Sequence, residues 1–402
     1  MLTARHSPTN ESNYGQAHLF PRLSQNVYTC TFSDFTSSTS VNDDLPWTTD
    51  DVNAIVGHRL AGVALRLHRT GQINLPDWAV QHFRAAEFQS TQYSLAIVRT
   101  AEQAIASLEC QGIPYVVTKG LGIANVAGGI VERPFSDVDV LVSRDDFPRA
   151  HKILGKIGYQ EAAVGQQPWR SFNVACREAI NLRLEPYGSI DLHHRIPPWL
   201  WGQQIRTADV VGAGIKSQAL SVSLAVLPPE FNLLIVALHV VSDRGRPGTT
   251  LMVWRDFLTL AQAVDPANAI EVATRYRLLG WLQWIVEQYP QELRPQNLVN
   301  ALSSEVTPKQ RIQHHRRLQH LLPPSIHSRH IIGQTMRLPA PRALLYVAGM
   351  AIPPPSFLRA RLAGRRCRYI HWWKSGLVGL AAEFGGSPQD VSRSSGIARS
   401  QV

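Results

Sequence analysis

Residues 133–142, RPFSDVDVLV, combine the pattern of a buried strand with two carboxylates. The valine and leucine residues favour a β-strand over 137–142. Asp137 and Asp139 lie on one face of that strand, because side chains two residues apart along a strand point the same way. Two like charges side by side indicate either a turn or cap, or a cation that lies between them. Any fold of this chain has to accommodate that acidic strand face.

The sequence around this strand alternates between helical and extended patterns. A long amphipathic helix is predicted from Pro76 to near Gly112, since its apolar residues recur every three or four positions. A shorter helix is predicted to begin at Asp145 or Asp146 and to end at Gly158. The other predicted elements are strands over 113–118, 170–185 and 188–194, a helix from Pro228 through 241, and further helices to about 290.

The order of these elements predicts an α+β protein with a small core of strands and helices between two helical regions. We expect a disordered extension, rich in Ser, Thr and Asn, before the first helical region. The predicted domains are the extension at 1–45, an N-terminal helical region at 46–111, the α/β core at 112–227, a helical domain at 228–305, and a basic, mostly helical C-terminal region with a disordered end at 306–402.

Composition favours an ordinary soluble protein. The chain has 402 residues, of which 44% are hydrophobic and 17% charged, so global disorder is excluded. Its apolar runs are shorter than the ~20 residues that span a bilayer, and we expect no transmembrane segment and no secretory signal. Four widely spaced cysteines without a CxxC pair are typical of reduced thiols, which predicts a cytoplasmic protein without structural zinc.

A third carboxylate, Asp191, stands in the predicted strand SIDLHH. Clustered carboxylates repel one another unless a cation is present, and two divalent ions held by shared carboxylates drive phosphoryl and nucleotidyl transfer. We therefore predict a metal site formed by Asp137, Asp139 and Asp191. Oxygen ligands favour Mg²⁺, with Mn²⁺ as an alternative.

Lys119 and Gly120 form a predicted strand-to-helix turn ahead of the acidic strand. The lysine offers a cation, and the glycine lets the backbone approach phosphate oxygens closely. This turn is the candidate cradle for a triphosphate.

These motifs resemble the uncharacterised bacterial nucleotidyltransferase family, which belongs to the superfamily typified by DNA polymerase beta. The shared features are a Lys-Gly turn, an Arg before a Ser/Gly-Asp-x-Asp strand, a helix ending in Leu-x-x-x-Gly-Tyr, and an Ile-Asp-Leu-His strand. This chain matches them at Lys119-Gly120, Arg133, Ser136-Asp137-Val138-Asp139, Leu154 to Tyr159, and Ile190 to His193. The likeness covers roughly residues 75–290 and is weaker onward to about 375.

The resemblance implies a small mixed-sheet nucleotidyltransferase palm that transfers a nucleoside monophosphate from an NTP. It implies Asp137, Asp139 and Asp191 as catalytic metal ligands, and Lys119, Gly120, Arg133 and Ser136 as nucleotide-binding residues. The chain departs from the usual Gly-Gly or Gly-Ser turn at Leu121, which removes one usual phosphate contact.

Several residues keep two interpretations. His193 either binds substrate or is satisfied by a neighbouring carboxylate, whereas His194 is expected to be structural on the opposite face. Arg133 either contacts triphosphate or pairs with an acid that orders its loop. Asp256, in a Trp-x-Asp setting on a predicted helix, is interpreted as a structural salt-bridge partner.

Positive charge is concentrated near the C-terminus. The chain carries a net charge of +10, and residues 309–374 contain 13 Lys and Arg but no Asp or Glu. We favour a helical cap whose arginines face water, over a surface for nucleic acid or another polyanion and over one for an anionic membrane.

The leading hypothesis is a Mg²⁺-dependent enzyme that moves a nucleoside monophosphate from an NTP to a hydroxyl group of an acceptor that the sequence does not identify. A toxin-like enzyme that modifies tRNA is one alternative, since the basic region suits that substrate. A non-catalytic NTP-binding module is the other, since Leu121 departs from the usual turn.

Overall fold

The computed structural model describes residues 23–36, 46–162, 178–196, 205–219, 222–242, 251–307, 340–353, and the single positions 355, 358, 369 and 373. A mixed sheet of seven strands lies at the centre of this part of the chain. The strands are β1 (Tyr115–Thr118), β2 (Val138–Val142), β3 (Gln160–Glu161), β4 (Ala179–Leu184), β5 (Gly188–His193), β6 (Ile215–Ala219) and β7 (Val222–Val226).

The strand order in the sheet is β3-β4-β5-β2-β1-β7-β6. β2 runs parallel to β5, and β1 runs parallel to β7. The other neighbouring strands are antiparallel. This mixed sheet, surrounded by helices, confirms the predicted α+β fold class.

Among the described residues, four helices precede the sheet, and the last of them is the long helix that the apolar periodicity predicted. They are α1 (Gln25–Phe32), which continues into a 3₁₀ turn (Ser33–Phe35), α2 (Thr49–Gly57), α3 (Ala61–Arg69) and α4 (Asp77–Cys110). Thr48 and Asp51 form a reciprocal capping box at the start of α2, which satisfies two otherwise free backbone amides.

In the described part of the chain, three short helices connect the strands, and a helical group follows the sheet. The connecting helices are α5 (Lys119–Ile123), α6 (Phe147–Lys156) and α7 (Thr207–Gly212). The later ones are α8 (Pro229–Ser242), α9 (Leu251–Ala263), α10 (Pro266–Arg275), α11 (Leu279–Gln288), a 3₁₀ turn (Gln291–Leu293), α12 (Gln296–Glu305) and α13 (Ala340–Ala351).

The two faces of the sheet pack against different helices. Val138, Val140 and Val142 point to one face, in a core that includes residues of α4 and α6. Leu141 points to the other face and joins a core formed largely by α8 to α12. Asp139 shares the face of Leu141 because residues two apart along a strand point the same way. The acidic face of β2 is therefore turned toward the C-terminal helices.

The structure corrects the expectation that residues 1–45 form a disordered extension. Ser24 caps α1 by accepting a hydrogen bond from the backbone amide of Val27, and Cys30 and Phe32 are fully buried. Abundant Ser and Thr suggested disorder, but burial of these apolar side chains stabilises a helix here. The rest of that predicted extension lies outside the described residues.

Three strands were missed, and one predicted strand extends into residues that the structure does not describe. The sequence predicted no strands over β3, β6 and β7. The predicted strand 170–185 corresponds to β4 only in its second half, and residues 163–177 lie outside the described part of the chain. The predicted disordered end, and most of the basic stretch 309–374, also lie outside it.

Within the described residues, no helix is both long and apolar enough to cross a membrane.

Candidate active site

Strand register places the two strand carboxylates next to each other. Asp139 of β2 lies opposite Asp191 of the parallel strand β5, and opposite Thr118 of the antiparallel strand β1. On the far side of β5, Asn181 of β4 lies opposite Asp191 and donates a hydrogen bond to its carboxylate. A polar row therefore crosses four strands on the face turned toward the C-terminal helices.

Asp139 is held by two other side chains at this face of the sheet. Its Oδ1 accepts a hydrogen bond from Lys119 Nζ at 2.7 Å, and His193 Nε2 lies 2.9 Å from the same oxygen. Asp139 and His193 are only 7% and 4% exposed. A carboxylate this deeply buried requires such partners, because an unpaired charge away from water is costly.

The buried cluster shifts the pKa values of its members in opposite directions. Burial, followed by repulsion from Asp139 and Asp191, raises the pKa of Asp137 to about 6. Burial and the charge of Asp139 likewise raise the pKa of Asp191. For Asp139, burial acts upward, but Lys119 and His193 outweigh it and hold the pKa below its usual range. The surroundings thus favour the ionised form of Asp139 and disfavour the ionised forms of Asp137 and Asp191.

The Lys119 turn has an unusual backbone conformation. Lys119 has a φ of 49°, in the left-handed region that non-glycine residues rarely adopt. Asn232 of α8 accepts a hydrogen bond from the Lys119 backbone amide at 3.3 Å and donates one to the Leu227 carbonyl at 3.2 Å. Asn232 is 1% exposed, so a buried side chain fixes the turn that carries the ammonium group.

Gly120 and Leu121 follow in α5, and both are buried. A Cβ atom on Gly120 would lie 3.0 Å from Phe135 Cβ, so the absence of a side chain allows the turn to pack against the segment before β2. Leu121 is 2% exposed and belongs to the core between the sheet and α4. Its side chain therefore packs in the protein interior.

Arg133 pairs with Asp256, an acid that is not one of the three predicted metal ligands. Its Nε donates to Asp256 Oδ1 of α9 at 2.6 Å, and its Nη1 donates to the Pro134 carbonyl at 2.8 Å. Arg133 and Asp256 are 9% and 2% exposed. The structure thus places both residues in the loop-ordering ion pair that was one of the two interpretations of Arg133.

Ser136 lies next to a cation that the sequence did not indicate. Arg59, an exposed residue between α2 and α3, donates a hydrogen bond from Nη1 to Ser136 Oγ at 3.3 Å. Its charge also acts to lower the pKa of Asp137. The N-terminal helices therefore contribute a positive group to the acidic site, although Arg59 stands 77 residues from Ser136 in sequence.

The donor groups at this face fit a divalent cation. Asp139, Asp191 and His193 each offer one ligand atom, and these atoms lie within 4.8 Å of one another. The two carboxylates offer the oxygen ligands that Mg²⁺ and Mn²⁺ prefer, and the imidazole adds a nitrogen donor of the kind that transition metals accept. Asp137, the third predicted ligand, stands just before β2 on the same strand face and lies outside this triplet. His193 is the member that the metal prediction did not include.

His194 lies on the opposite face of β5. Its ring centroid is 4.4 Å from that of Phe147 at the start of α6. The alternation of side chains along the strand accounts for the different surroundings of the two histidines.

Sequence reasoning missed Asn181, Asn232 and Arg59. Asn232 had the clearest signal, because it is the one polar residue inside the apolar run FNLLIVAL. Such a residue is buried only when its amide finds partners. Asn181 and Arg59 gave no signal, since both lie in segments where polar residues are ordinary.

A family model described as an uncharacterised nucleotidyltransferase matches residues 52–289, more than half of the 402 residues. The chain belongs to this family. Membership of this family identifies the protein as a nucleotidyltransferase. The matched span contains every residue of the acidic site. The basic stretch 309–374 and α13 lie beyond the span.

One solved structure to which this nucleotidyltransferase is similar is the solution structure of the antibiotic-resistance factor ANT(2'')-Ia. The identity is 11% and the TM-score 0.34, and the match covers 46% of this chain and 92% of the other. That likeness is too distant to inform the site. No curated protein matches the sequence.

Proposed function

We propose that this nucleotidyltransferase moves a nucleoside monophosphate from an NTP to a hydroxyl group of its acceptor, with Mg²⁺ or Mn²⁺ as the cofactor. The observation that carries the proposal is the pairing of Asp139 with Asp191 across two parallel strands, beside Lys119. This chemistry is that of the superfamily typified by DNA polymerase beta, to which we assign the family.

Asp137, Asp139 and Asp191 are the proposed holders of the divalent ions, with His193 as an additional donor within reach. When bound, the ions would polarise the phosphates and acidify the attacking hydroxyl. Asn181 orients Asp191 through its hydrogen bond, and His193 orients Asp139. Both contacts restrict carboxylates that have to keep a fixed geometry for transfer.

The phosphate-binding groups in this proposal surround the acidic site. Lys119 supplies a buried ammonium group, and Gly120 supplies backbone at the start of α5. Ser136 and Arg59 offer a hydroxyl and an exposed guanidinium that are hydrogen-bonded to each other. Because Arg133 is held by Asp256, we assign it to ordering the loop before β2 and assign its phosphate-binding role to Arg59.

In the proposed reaction, the acceptor oxygen forms a bond to the α-phosphorus of the NTP. The bond from that phosphorus to the bridging oxygen breaks, and pyrophosphate leaves. The acceptor proton passes to Asp191, which lies opposite Asp139 in the parallel strand pair. Lys119 stabilises the negative charge that builds up on the phosphates.

A cytoplasmic location completes the proposal. Cys30 and Cys110 are both free thiols, as is usual in reducing compartments.

The experiment compares wild type with Asp139→Asn in the transfer of label from α-labelled NTPs to components of a cell extract. Asp139→Asn keeps the volume of the side chain but removes the charge, so we expect loss of labelling by a factor of about 10³ or more. Asp145→Asn, an exposed position after β2, is the matched control and should label like wild type. Undiminished labelling by Asp139→Asn would contradict the proposed site.

A further inference from the structure

The helix α13 exposes a continuous apolar face. Leu344 is 71% exposed and Ile352, just after the helix, is 68% exposed. At 100° per residue, the exposed positions form one uninterrupted stripe along the helix. Its members are Leu344, Leu345, Val347, Ala348, Ala351 and Ile352. The opposite side of the helix contains the buried residues Tyr346 and Gly349, so within the described residues α13 is packed on one side and exposed on the other.

Two aromatic residues stand at the end of this face. Trp373 is 50% exposed, and its indole Nε1 donates a hydrogen bond to the Ala351 carbonyl at 2.7 Å. Tyr369 donates from its hydroxyl to the Pro353 carbonyl at 2.8 Å. Tryptophan and tyrosine are favoured where an apolar region meets a polar one, because each has an apolar ring and a polar group.

The sequence around α13 contains many basic residues and no acidic ones. Residues 309–374 contain 13 Lys and Arg and no Asp or Glu, and this stretch includes both α13 and Trp373. An exposed aliphatic stripe in a cationic region, followed by a half-exposed Trp, is typical of helices that lie in the plane of an anionic membrane surface.

We propose that α13 and Trp373 dock this protein on an anionic lipid surface, with the stripe in contact with the acyl region. A water-facing cap, which the sequence favoured, leaves the stripe exposed to water. Nucleic acid would neutralise the cations but would not cover aliphatic side chains. A second copy would bring together two stretches of sequence with the same excess of positive charge. An anionic bilayer is the partner that satisfies both the stripe and the cations.

The helix is too short to enter the bilayer end-on. Its 12 residues extend about 18 Å, whereas the hydrocarbon core is about 30 Å thick. Docking is therefore peripheral and reversible, and its strength is expected to fall as ionic strength rises. The inference does not rest on nucleotidyl transfer, since α13 lies outside the acidic site.

The test is co-sedimentation of the full chain with vesicles of phosphatidylcholine alone or of phosphatidylcholine containing phosphatidylglycerol. Wild type should sediment with the phosphatidylglycerol vesicles only, and less at high salt. The double variant Leu344→Gln/Ile352→Gln keeps all charges and should bind these vesicles about tenfold more weakly, or worse. Phe88→Gln, at a position of α4 that is 67% exposed, is the matched control and should bind like wild type.

Thermal unfolding checks that both variants are folded. We expect both to fold, because the substituted side chains are exposed. Failure of wild type to bind the phosphatidylglycerol vesicles would overturn the proposal, as would equal binding by the double variant. Two further outcomes would also overturn it. In one, single-stranded RNA binds and the vesicles do not. In the other, the double substitution converts a dimer into monomers in light scattering.

Discussion

At the scale of single residues, Lys119 acts as an internal counter-ion of the acidic site. Its ammonium bonds to Asp139, and the charges of Asp137 and Asp191 contribute further to the raised pKa of the lysine, against the effect of burial. A buried carboxylate cluster needs positive charge in every state of the protein. We infer that Lys119 supplies it when divalent ions are absent.

Replacing Lys119 by Met should therefore couple stability to divalent ions. In EDTA, Lys119→Met should unfold at a lower temperature than wild type, because removing one partner of a buried ion pair costs about 3–5 kcal/mol. Added Mg²⁺ should raise the midpoint of the variant more than that of wild type, since no ammonium competes for Asp139. Differential scanning fluorimetry measures both shifts.

Lys152→Met, at an exposed position of α6, is the control and should respond to Mg²⁺ like wild type. Equal Mg²⁺ shifts for Lys119→Met and wild type would contradict the counter-ion role.

Asn232 is expected to position Lys119 without touching substrate. Asn232→Leu removes both side-chain bonds to the backbone and should lower the free energy of unfolding by about 1–3 kcal/mol. It should also reduce labelling from α-labelled NTP, because the left-handed Lys119 turn loses its support. Urea unfolding and the labelling assay measure the two effects.

Asn297→Leu is the matched control, since Asn297 also donates from its side chain to a backbone carbonyl, that of Ala261, away from the site. It should lose stability and keep labelling. If Asn232→Leu behaves in the same way, the positioning role is wrong.

The aspartates could be predicted from sequence because the alternation of a strand is a local property. Asp137 and Asp139 share a face in any strand, and β5 then brings Asp191 alongside. Asn232 could not be assigned to the turn, because 113 residues separate it from Lys119 and only the tertiary fold brings them together.

At the scale of elements, the sequence predicted the helices and strands whose apolar residues recur at regular intervals. The helix α4 repeats its apolar residues over 34 residues, and β1, β2 and β5 are apolar or alternating. β6 and β7 were missed, although Val222, Leu224 and Val226 alternate with small residues. β7 pairs with the distant strand β1, whose residue Val117 lies opposite Val226 in parallel register, and such a partner leaves no local signal. β6 joins the sheet through β7.

The ion pair between Arg133 and Asp256 joins the loop before β2 to helix α9. Arg133→Met or Asp256→Asn should each lower the free energy of unfolding by about 3–5 kcal/mol, because each leaves the partner charge buried and unpaired. In the combined variant Arg133→Met/Asp256→Asn, the free energy of unfolding should fall by clearly less than the sum of the two single losses. Urea denaturation of the four proteins measures this coupling.

Arg275→Met and Glu271→Gln form the matched cycle on an exposed pair of α10, where we expect a coupling below about 1 kcal/mol. Additive losses in the buried pair would show that Arg133 and Asp256 do not hold the two elements together.

At the scale of the whole molecule, the N-terminal helices are part of the fold that supports the site. Arg255 of α9 donates to the Thr31 carbonyl at 2.7 Å and pairs with Asp34, so α1 and its 3₁₀ turn are joined to the C-terminal helical group. Arg59 reaches Ser136 from the same N-terminal region. Polar composition concealed this role, because tertiary contacts rather than local pattern stabilise the segment.

The candidate site lies within the part of the chain that matches the family. Residues 52–289 match the nucleotidyltransferase family, and within them the sheet brings Asp139, Asp191 and His193 together. The resemblance of the sequence named the reaction class. The structure adds how Lys119, Asn232 and Arg133 are held around the carboxylates, which no local pattern encodes.

The most direct test of nucleotidyl transfer compares two labels of one nucleotide. The protein is incubated with Mg²⁺, a cell extract and an NTP labelled at either the α- or the γ-phosphate. Transfer of the nucleoside monophosphate predicts that acceptor becomes labelled from the α-position and not from the γ-position, with labelled pyrophosphate released in the second case. Acceptor labelled from the γ-position alone would identify a phosphoryl transferase and contradict the account.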